Sequence, residues 1–285
     1  MLRKLAGAAR EGVGAGLLRT VVALALLVSA GARAEPVSDD VLRDRLRQAH
    51  PNAARRYERL KALFAQAGCV EPRLREQPVK RSKQPNLICG PAGGSSGKRR
   101  IIVGAHFDSQ GGAGVIDNWT GAVLLPSLLE FLGSGAERRH EFEFVGFAAE
   151  EKGLLGSRTY VEALTAEERA RIAAVIVVDS VGLAPVKVWP NRSTPFLVNA
   201  AAQVAAGMAI GLEGVNVEKV GTTDSQVFYE AGIPVLTVHS VDQRTILVIN
   251  HESDTLAAVS WKDFFDTYRM LGALLEYLDR GLPAQ

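Results

Sequence analysis

This sequence has few cysteines, a net charge close to zero and no internal repeat. Its 285 residues include two cysteines, Cys69 and Cys89, and neither has the His or Cys companions of a zinc knuckle. There is no internal repeat and no linker long enough to separate a second domain. Hydrophobic residues make up 47% of the chain and charged residues 22%. This composition excludes a disordered or fibrous protein and predicts one large α/β domain with a sizeable core.

The net charge is small, and its basic excess lies near the N-terminus. The whole chain carries a formal charge of +2, while residues 1–34 carry five basic side chains and one acidic side chain. The remaining residues therefore have a net charge of −2. This distribution offers no basic surface to nucleic acid or to an anionic membrane, and we expect neither as a partner.

Residues 1–34 have the pattern of an export signal. Residues 21–28 form an apolar run that is too short to span a bilayer, and Ala32-Arg33-Ala34 follows as a small-residue cleavage site. The alternative is an uncleaved N-terminal anchor. We expect cleavage, which leaves residues 35–285 as a single exported domain, periplasmic or secreted, without stable membrane association.

Export would place the two cysteines in an oxidising compartment, where they can pair. Cys69 and Cys89 flank a polar, basic segment with Pro78 and Pro85 that is typical of a hairpin turn. The alternative is two unpaired buried thiols. A disulfide here would close a loop of about 20 residues, and it requires that the two Cα atoms lie within about 7 Å of each other.

Predicted strands and helices alternate along most of the chain. Apolar runs predict strands at 70–74, 86–89, 101–108, 142–149, 173–178 and 232–238. Apolar periodicity predicts helices at 39–68 with a break at Pro51, and at 122–132, 153–163, 195–208 and 261–278, while Thr165 and Glu168 form a capping box that opens a short helix. The alternation predicts an α/β fold, a three-layer α/β/α sandwich with a mostly parallel mixed central sheet.

Three of the predicted strands end directly in side chains that can bind a metal ion. One runs into His106 and Asp108, the next into the pair Glu150-Glu151, and the third into Asp179. Parallel strands in α/β proteins deliver their chemistry at their carboxyl ends. We therefore expect these side chains to meet at one edge of the sheet.

Asp117 and His251 complete the candidate ligand set. A set of imidazoles and carboxylates without thiolate suits zinc, or else manganese or cobalt, and the number of carboxylates is enough for two ions. Each residue also has an ordinary structural explanation: a lone strand-end His is usually a hydrogen-bonded core residue, and Asp117 can be a helix N-cap. Adjacent glutamates usually form a solvated face, but Glu150 and Glu151 follow an apolar strand directly.

The order of these motifs resembles peptidase family M28, the co-catalytic zinc peptidases that include bacterial aminopeptidases of the leucyl-aminopeptidase type. The resemblance covers about residues 86–255 and rests on five motifs in the same order: His106-x-Asp108, Asp117-Asn118-x-Thr120-Gly121, Phe147-Ala148-Ala149-Glu150-Glu151-x-Gly153-Leu154-x-Gly156-Ser157, Asp179, and His251-x-x-Asp254-Thr255. It implies a zinc exopeptidase-like fold, two Zn²⁺ ions per chain, and a peptide or small amino-acyl substrate.

The resemblance also implies a role for each motif residue. The implied roles are metal ligation for His106, Glu151, Asp179 and His251, bridging of the two ions for Asp117, orientation of His106 for Asp108, and general base catalysis for Glu150. The implied reaction is attack by a metal-held hydroxide on a peptide carbonyl polarised by zinc. The peptide bond between Asp117 and Asn118 is expected to be cis.

Some positions depart from the family pattern. Thr223-Asp224-Ser225 stands where the family often has Ser-Asp-His, and His251 is followed by Glu252 instead of the usual Thr. His239 competes with His251 as the last ligand, because it ends an apolar strand. The Asp254-Thr255 pair and the long loop before it favour His251, so we expect His239 to line the pocket or to be structural.

Two other functions share this pattern in part. Glutaminyl cyclases have the same fold with a single zinc, but usually lack the Asn after Asp117 and the glutamate-containing string that starts at Phe147. A metal-free binding module on a peptidase fold is contradicted by the presence of every ligand and of Glu150. We therefore predict a zinc-dependent exopeptidase, with an aminopeptidase as the preferred interpretation, and the metal content separates the three: two ions, one or none.

Overall fold

A mixed sheet with helices on both faces makes up the part of the chain that the computed structural model describes, residues 36–91, 97–110, 112–133, 137–217, 219 and 221–284. The predicted export signal lies outside these residues. The strands are β1 Leu74–Gln77, β2 Asn86–Cys89, β3 Arg100–His106, β4 Glu141–Phe147, β5 Ile172–Val178, β6 Lys187–Val188, β7 Glu213–Gly214 and β8 Val235–His239. The helices are α1 Asp39–Leu46, α2 Ala53–Gln66, α3 Thr120–Leu132, α4 Leu155–Ala163, α5 Ala166–Ala170, α6 Pro195–Gly207, α7 Ser225–Glu230 and α8 Trp261–Gly281.

The sheet has the order β1-β2-β4-β3-β5-β8-β6-β7. Its centre is parallel, because β3 pairs with β4 and β5, and β5 pairs with β8, all in parallel. Antiparallel pairings, β1 with β2, β2 with β4 and β6 with β8, flank this centre. The mostly parallel mixed sheet predicted from the strand-helix alternation is therefore confirmed.

The two faces of the sheet bury separate apolar layers. Ile101 and Val103 of β3 belong to a large cluster that includes residues of α1, α2, α3, α6 and α8, whereas Ile102 belongs to a smaller cluster with residues of α4 and α7. Every residue of β3 after Arg100 is buried, as expected for a strand covered on both faces. This is the three-layer arrangement that the sequence predicts.

Most predicted elements are observed with shifts of a few residues, and some are missed. Strand β1 begins at Leu74 and not at Val70, because residues 70–73 form a turn in which the Arg73 amide donates to the Val70 carbonyl at 2.8 Å. Strands β6 and β7 have two residues each, too few to give a periodic signal. The capping box at Thr165 and Glu168 is confirmed at the start of α5.

The apolar helix before β4 is a core helix. Within the described residues, Val115–Leu132 is the segment with the length and apolar character of a membrane span, and 83% of it is buried inside the protein. The segment includes Asp117 of the site described below and is followed by β4.

The predicted disulfide is present. Cys69 and Cys89 are bonded with their Cα atoms 6.1 Å apart and a sequence separation of 20. Cys89 ends β2, but Cys69 follows α2 rather than lying on a paired strand. The bond therefore ties the C-terminal end of α2 to the sheet.

Candidate active site

Four of the five predicted metal ligands and the predicted base meet at the carboxyl edge of the parallel strands. His106 is the last residue of β3, Glu150 and Glu151 follow β4, and Asp179 follows β5. Asp117 reaches the same place on the turn that leads into α3. All five side chains line one open cavity.

The chain turns sharply at two of these strand ends. Ala149, just before Glu150, has a φ of 55°, and Ser180, just after Asp179, has a φ of 51°. Left-handed backbone is uncommon for residues other than glycine and tends to occur at functional sites. The neighbouring carboxylates of Glu150 and Asp179 thereby face the cavity rather than continuing the strand direction.

Asn118 joins the Asp117 turn to the end of β5. The Asp117–Asn118 peptide bond is cis, as the resemblance implies. The Asn118 Nδ2 donates to the Val178 carbonyl at 2.9 Å, and its Oδ1 accepts from the amides of Gly121 at 2.9 Å and Ser180 at 3.2 Å. These bonds fix the position of the Asp117 carboxylate relative to that of Asp179.

The imidazole of His106 lies among carboxylates. Its Nε2 is 3.2 Å from Asp117 Oδ1 and 3.6 Å from Asp179 Oδ1. Its Nδ1 is 3.7 Å from Asp108 Oδ1, beyond hydrogen-bond distance. Asp108 instead accepts from the Glu150 amide at 3.0 Å, so it links the ends of β3 and β4.

The paired glutamates have different surroundings. Burial raises the pKa of the Glu150 carboxyl to about 10, and the Asp224 carboxylate adds to the increase. Burial and the Asp117 carboxylate raise the pKa of Glu151 to about 7. Glu151 also accepts from the Gln110 amide at 3.0 Å.

This donor set fits divalent cations. His106, Asp117 and Asp179 offer ligand atoms within 4.8 Å of one another, and so do His106, Glu150 and Glu151. The pKa values of Glu150 and Glu151 are raised by burial and by neighbouring carboxylates, and a bound cation would oppose that increase. Nitrogen and oxygen donors without thiolate suit zinc, manganese or cobalt.

Asp254 accepts hydrogen bonds from the backbone of the turn that carries Asp117. Its Oδ1 accepts from the Ile116 amide at 2.6 Å and its Oδ2 accepts from the Asp117 amide at 3.0 Å. Burial raises the pKa of Asp254 to about 6. The Asp254-Thr255 motif therefore positions the backbone of the predicted bridging residue.

The structure does not bring the His251 side chain into the cluster. His251 is exposed and its Nδ1 is 2.9 Å from Ser253 Oγ. The cavity is lined by His239 instead, which is buried. The Nδ1 of His239 accepts from the Val241 amide at 3.2 Å and its Nε2 lies 3.1 Å from the Val215 carbonyl, so both ring nitrogens have backbone partners.

Asp224, at the position where the sequence departs from the family's Ser-Asp-His, lies close enough to the cluster for its charge to act on Glu150. Asp224 has no accessible surface, and neither carboxylate oxygen has a hydrogen-bond partner among the described residues. Burial raises its pKa to about 7. The Thr-Asp-Ser sequence before α7 was the available signal, but α7 has six residues and was not predicted.

Part of the remaining cavity wall is apolar. It comes from the segments that follow β6, β7 and β8, and the last of these segments also carries the His251-x-x-Asp254-Thr255 motif. The wall residues include Trp189, Val217, Val241, Ile246 and Ile249. The cavity thus has a charged floor and an apolar side.

Residues 86–275 match the model of a protein family described as Peptidase family M28. Among curated proteins, the chain is 32% identical over 152 residues to Leupeptin-inactivating enzyme 1 of Streptomyces exfoliatus, covering 53% of this chain and 34% of that protein. It is 30% identical over 142 residues to Aminopeptidase YwaD of Bacillus subtilis, covering 47% of this chain and 30% of that one. The chain thus spans about a third of the length of these relatives.

Solved structures share the fold. The LapA aminopeptidase of Legionella pneumophila superposes with a TM-score of 0.76 at 20% identity, covering 87% of this chain and 73% of that chain. A glutaminyl cyclase from an Acidobacteriales bacterium superposes with a TM-score of 0.70 at 16% identity, covering 88% of this chain and 98% of that chain. Both likenesses concern the fold alone.

Proposed function

Because this chain belongs to peptidase family M28, we propose that it is a zinc-dependent exopeptidase, an aminopeptidase that hydrolyses N-terminal peptide bonds. The observation that carries the proposal is the meeting of His106, Asp117, Glu151 and Asp179 around the buried carboxyl of Glu150. The first four can bind cations, and the fifth can handle a proton beside them.

We assign two Zn²⁺ ions to this cluster. His106, Asp117 and Asp179, which offer ligand atoms close together, would hold one ion. Following the family resemblance, Glu151 and His251 would hold the other, and Asp117 would contribute to both. When bound, the ions would supply positive charge that polarises the substrate carbonyl and lowers the pKa of the attacking water. The positive charge would also favour the ionised form of the Glu151 carboxyl, whose pKa is otherwise raised to about 7.

Glu150 is proposed as the general base. It sits beside the ligands in a buried position, and its amide is held by Asp108 at 3.0 Å, which fixes the turn that carries it. Glu150 would accept a proton from the attacking water at its carboxylate and deliver that proton to the departing amine nitrogen.

The assignment of His251 rests on the partners of the two candidate histidines. The Nδ1 of His251 is engaged by its neighbour Ser253, 2.9 Å from the hydroxyl and 3.2 Å from the amide. His239 has a backbone partner at each ring nitrogen, which leaves no lone pair for a metal ion. His251 is three residues from Asp254, whose carboxylate holds the Asp117 amide at 3.0 Å. Metal binding would require the exposed His251 side chain to move towards Asp117.

Export is part of the proposal. The Cys69–Cys89 disulfide supports an oxidising compartment, because such bonds are rare in the cytosol. Cleavage after Ala34 is tested by N-terminal sequencing of the exported protein, and a mature chain that still begins upstream of residue 30 would contradict it.

The reaction is tested with a panel of amino-acyl chromogenic amides, N-blocked peptides and C-terminally cleavable peptides. We expect hydrolysis of the free-amine amides alone, abolished by chelator and restored by Zn²⁺. Hydrolysis of N-blocked substrates at the C-terminus would make the protein a carboxypeptidase. Chelator-resistant hydrolysis would contradict the metal assignment.

A glutaminyl cyclase is the second candidate, favoured by one observation. Two solved cyclases are covered over 98% and 99% of their length by this chain, whereas LapA is covered over 73%. Peptides with N-terminal glutamine distinguish the two: an aminopeptidase releases glutamine, and a cyclase releases ammonia and leaves pyroglutamate. Metal analysis of the purified protein gives two ions in the first case and one in the second.

A further inference from the structure

Arg56 is a buried cation behind the carboxylate cluster, and the proposed chemistry gives it no role. It lies on α2, outside the residues that match the family. Its side chain is 0% exposed, which is rare for an arginine. The hydrogen bonds recorded for its guanidinium all go to main-chain carbonyls.

The guanidinium hydrogen-bonds both ends of the loop that joins His106 to Asp117. The Nε of Arg56 donates to the carbonyl of Phe107 at the start of the loop. Its Nη1 donates to the carbonyls of Ala113 at 3.0 Å and Gly114 at 2.9 Å near the end. Because the guanidinium is a rigid fork, it fixes the separation of the two ends of the loop.

The chain closes tightly around this group. Gly114 has a φ of +56°, and a Cβ there would lie 2.9 Å from the Arg56 Nη1 and 2.8 Å from the Asp117 carbonyl. On the far side of Asp117, the Arg56 Cζ lies 5.3 Å from the centre of the Trp119 ring. Arg56 thus contacts the chain on both sides of Asp117.

Charge and geometry make opposite predictions for this residue. Burial lowers the pKa of Arg56 to about 10, and the carboxylates of Asp108 and Asp117 oppose this decrease, so the guanidinium is charged at neutral pH. A fixed positive charge repels a divalent cation bound nearby. Removing the charge alone would strengthen metal binding, whereas releasing the loop would weaken it.

We propose that Arg56 is a positioning residue for the metal site, which holds the His106–Asp117 loop in the shape that places both ligands. The proposal rests on the proposed metal-dependent function. Its geometric effect outweighs its charge, since three hydrogen bonds and a ring contact converge on the one loop that carries Asp117.

The test compares Arg56→Lys and Arg56→Met in the full chain. Lysine keeps the charge but lacks the fork, and methionine lacks both. Arg55→Lys and Arg55→Met are matched controls, because Arg55 is the exposed neighbour on the same helix. The readouts are the Zn²⁺ affinity of metal-stripped protein by competition with a chromophoric chelator, the visible spectrum of the Co²⁺ form, and unfolding in chelator.

We expect both Arg56 variants to bind Zn²⁺ about 10–100-fold more weakly, as is typical when a residue supporting metal ligands is lost. Their Co²⁺ spectra should change, and the Arg55 variants should match the parent. Arg56→Lys remains informative if Arg56→Met does not fold.

Two results would overturn the proposal. Tighter Zn²⁺ binding by Arg56→Met with unchanged binding by Arg56→Lys would show that only charge matters. Loss of metal-free stability with unchanged Zn²⁺ affinity and Co²⁺ spectrum would show a merely structural role. Failure of the parent protein to bind Zn²⁺ would contradict the proposed function itself, which keeps the two failures distinct.

Discussion

Glu150 and Glu151 are adjacent in sequence but face different neighbours. Glu150 is 8% exposed and has its amide bound by Asp108, while Glu151 is half-buried and accepts from the Gln110 amide. The two residues open a short 3-10 helix, Glu150–Lys152, that follows β4, and successive side chains of such a helix point in different directions around its axis. The two carboxylates are therefore suited to different tasks.

The Glu150→Gln substitution should show whether Glu150 acts as a general base or as a metal ligand. Glu150→Gln removes the proton acceptor without altering side-chain size, so we expect both ions and substrate binding to be kept. The kcat should fall by about 10²–10⁴-fold, the range typical of a lost general base. Glu151→Gln is the matched variant and should weaken metal binding instead. A metal-free Glu150→Gln protein, or one with a nearly intact kcat, would show that the roles are wrongly assigned.

The metal content of two histidine variants should show whether His251 or His239 is the remaining metal ligand. We expect His251→Ala to lose one of two ions, and His239→Ala to keep both, since the ring nitrogens of His239 already have backbone partners. Metal analysis after dialysis at matched free Zn²⁺ gives the answer. The opposite result, loss with His239→Ala alone, would assign the site to the buried histidine.

At the scale of elements, the start of α3 is built against the end of β5. A Cβ at Gly121 would lie 2.6 Å from the Val178 carbonyl and would also meet the Asn118 side chain. Both contacts belong to the hydrogen-bond network that positions Asp117. A glycine is required here by close approach of the two elements, since no positive φ is involved.

Gly121→Ala should therefore damage both stability and the site. We expect a decrease of about 1–3 kcal/mol in the free energy of unfolding, as for other overpacked positions, together with weaker Zn²⁺ binding. Gly207→Ala on α6 is the control, because a Cβ there meets no atom within 4 Å. Equal urea midpoints for the two variants would mean that the contact at Gly121 is relieved at no cost.

At the scale of the whole molecule, the disulfide connects two parts of the fold that serve the site. Cys69 follows the helix that carries Arg56, and Cys89 ends β2, which pairs with β4. The bond therefore restrains α2 against the sheet from which Glu150 emerges. Cys69 and Cys89 are both buried.

Reduction of the disulfide should lower the stability of the whole domain. A bond that closes a loop of this length contributes roughly 3 kcal/mol in the chain-entropy model, so the urea midpoint should fall when reductant is added. The Cys69→Ala/Cys89→Ala double variant should resemble the reduced protein and should not respond to reductant. An unchanged midpoint in the parent would contradict the expectation.

Short-range patterns in the sequence determined the layered architecture. Short apolar runs without polar interruption, as in residues 101–105, predict strands covered on both faces, and their alternation with helices predicts a largely parallel sheet. Once strands are parallel, their carboxyl ends share one edge, so His106, Glu150 and Asp179 had to meet. The disulfide was predicted from the presence of two thiols in a chain with the pattern of an export signal.

Only the tertiary structure decided the features that depend on contacts distant in sequence. The two-residue strands β6 and β7 exist through pairing alone, and no local pattern marks them. The burial of Arg56 and Asp224 beside the cluster follows from packing of α2 and α7 against other elements, which leaves no periodic signal. The placement of His239 and His251 depends on how the loop after β8 folds back, and hydrogen bonds to Val215 and Val241 occupy the ring of His239. Both histidines could be identified as candidate ligands from the sequence. Whether a ring nitrogen has a lone pair available for a metal ion depends on its hydrogen-bond partners, and these come from segments distant in sequence.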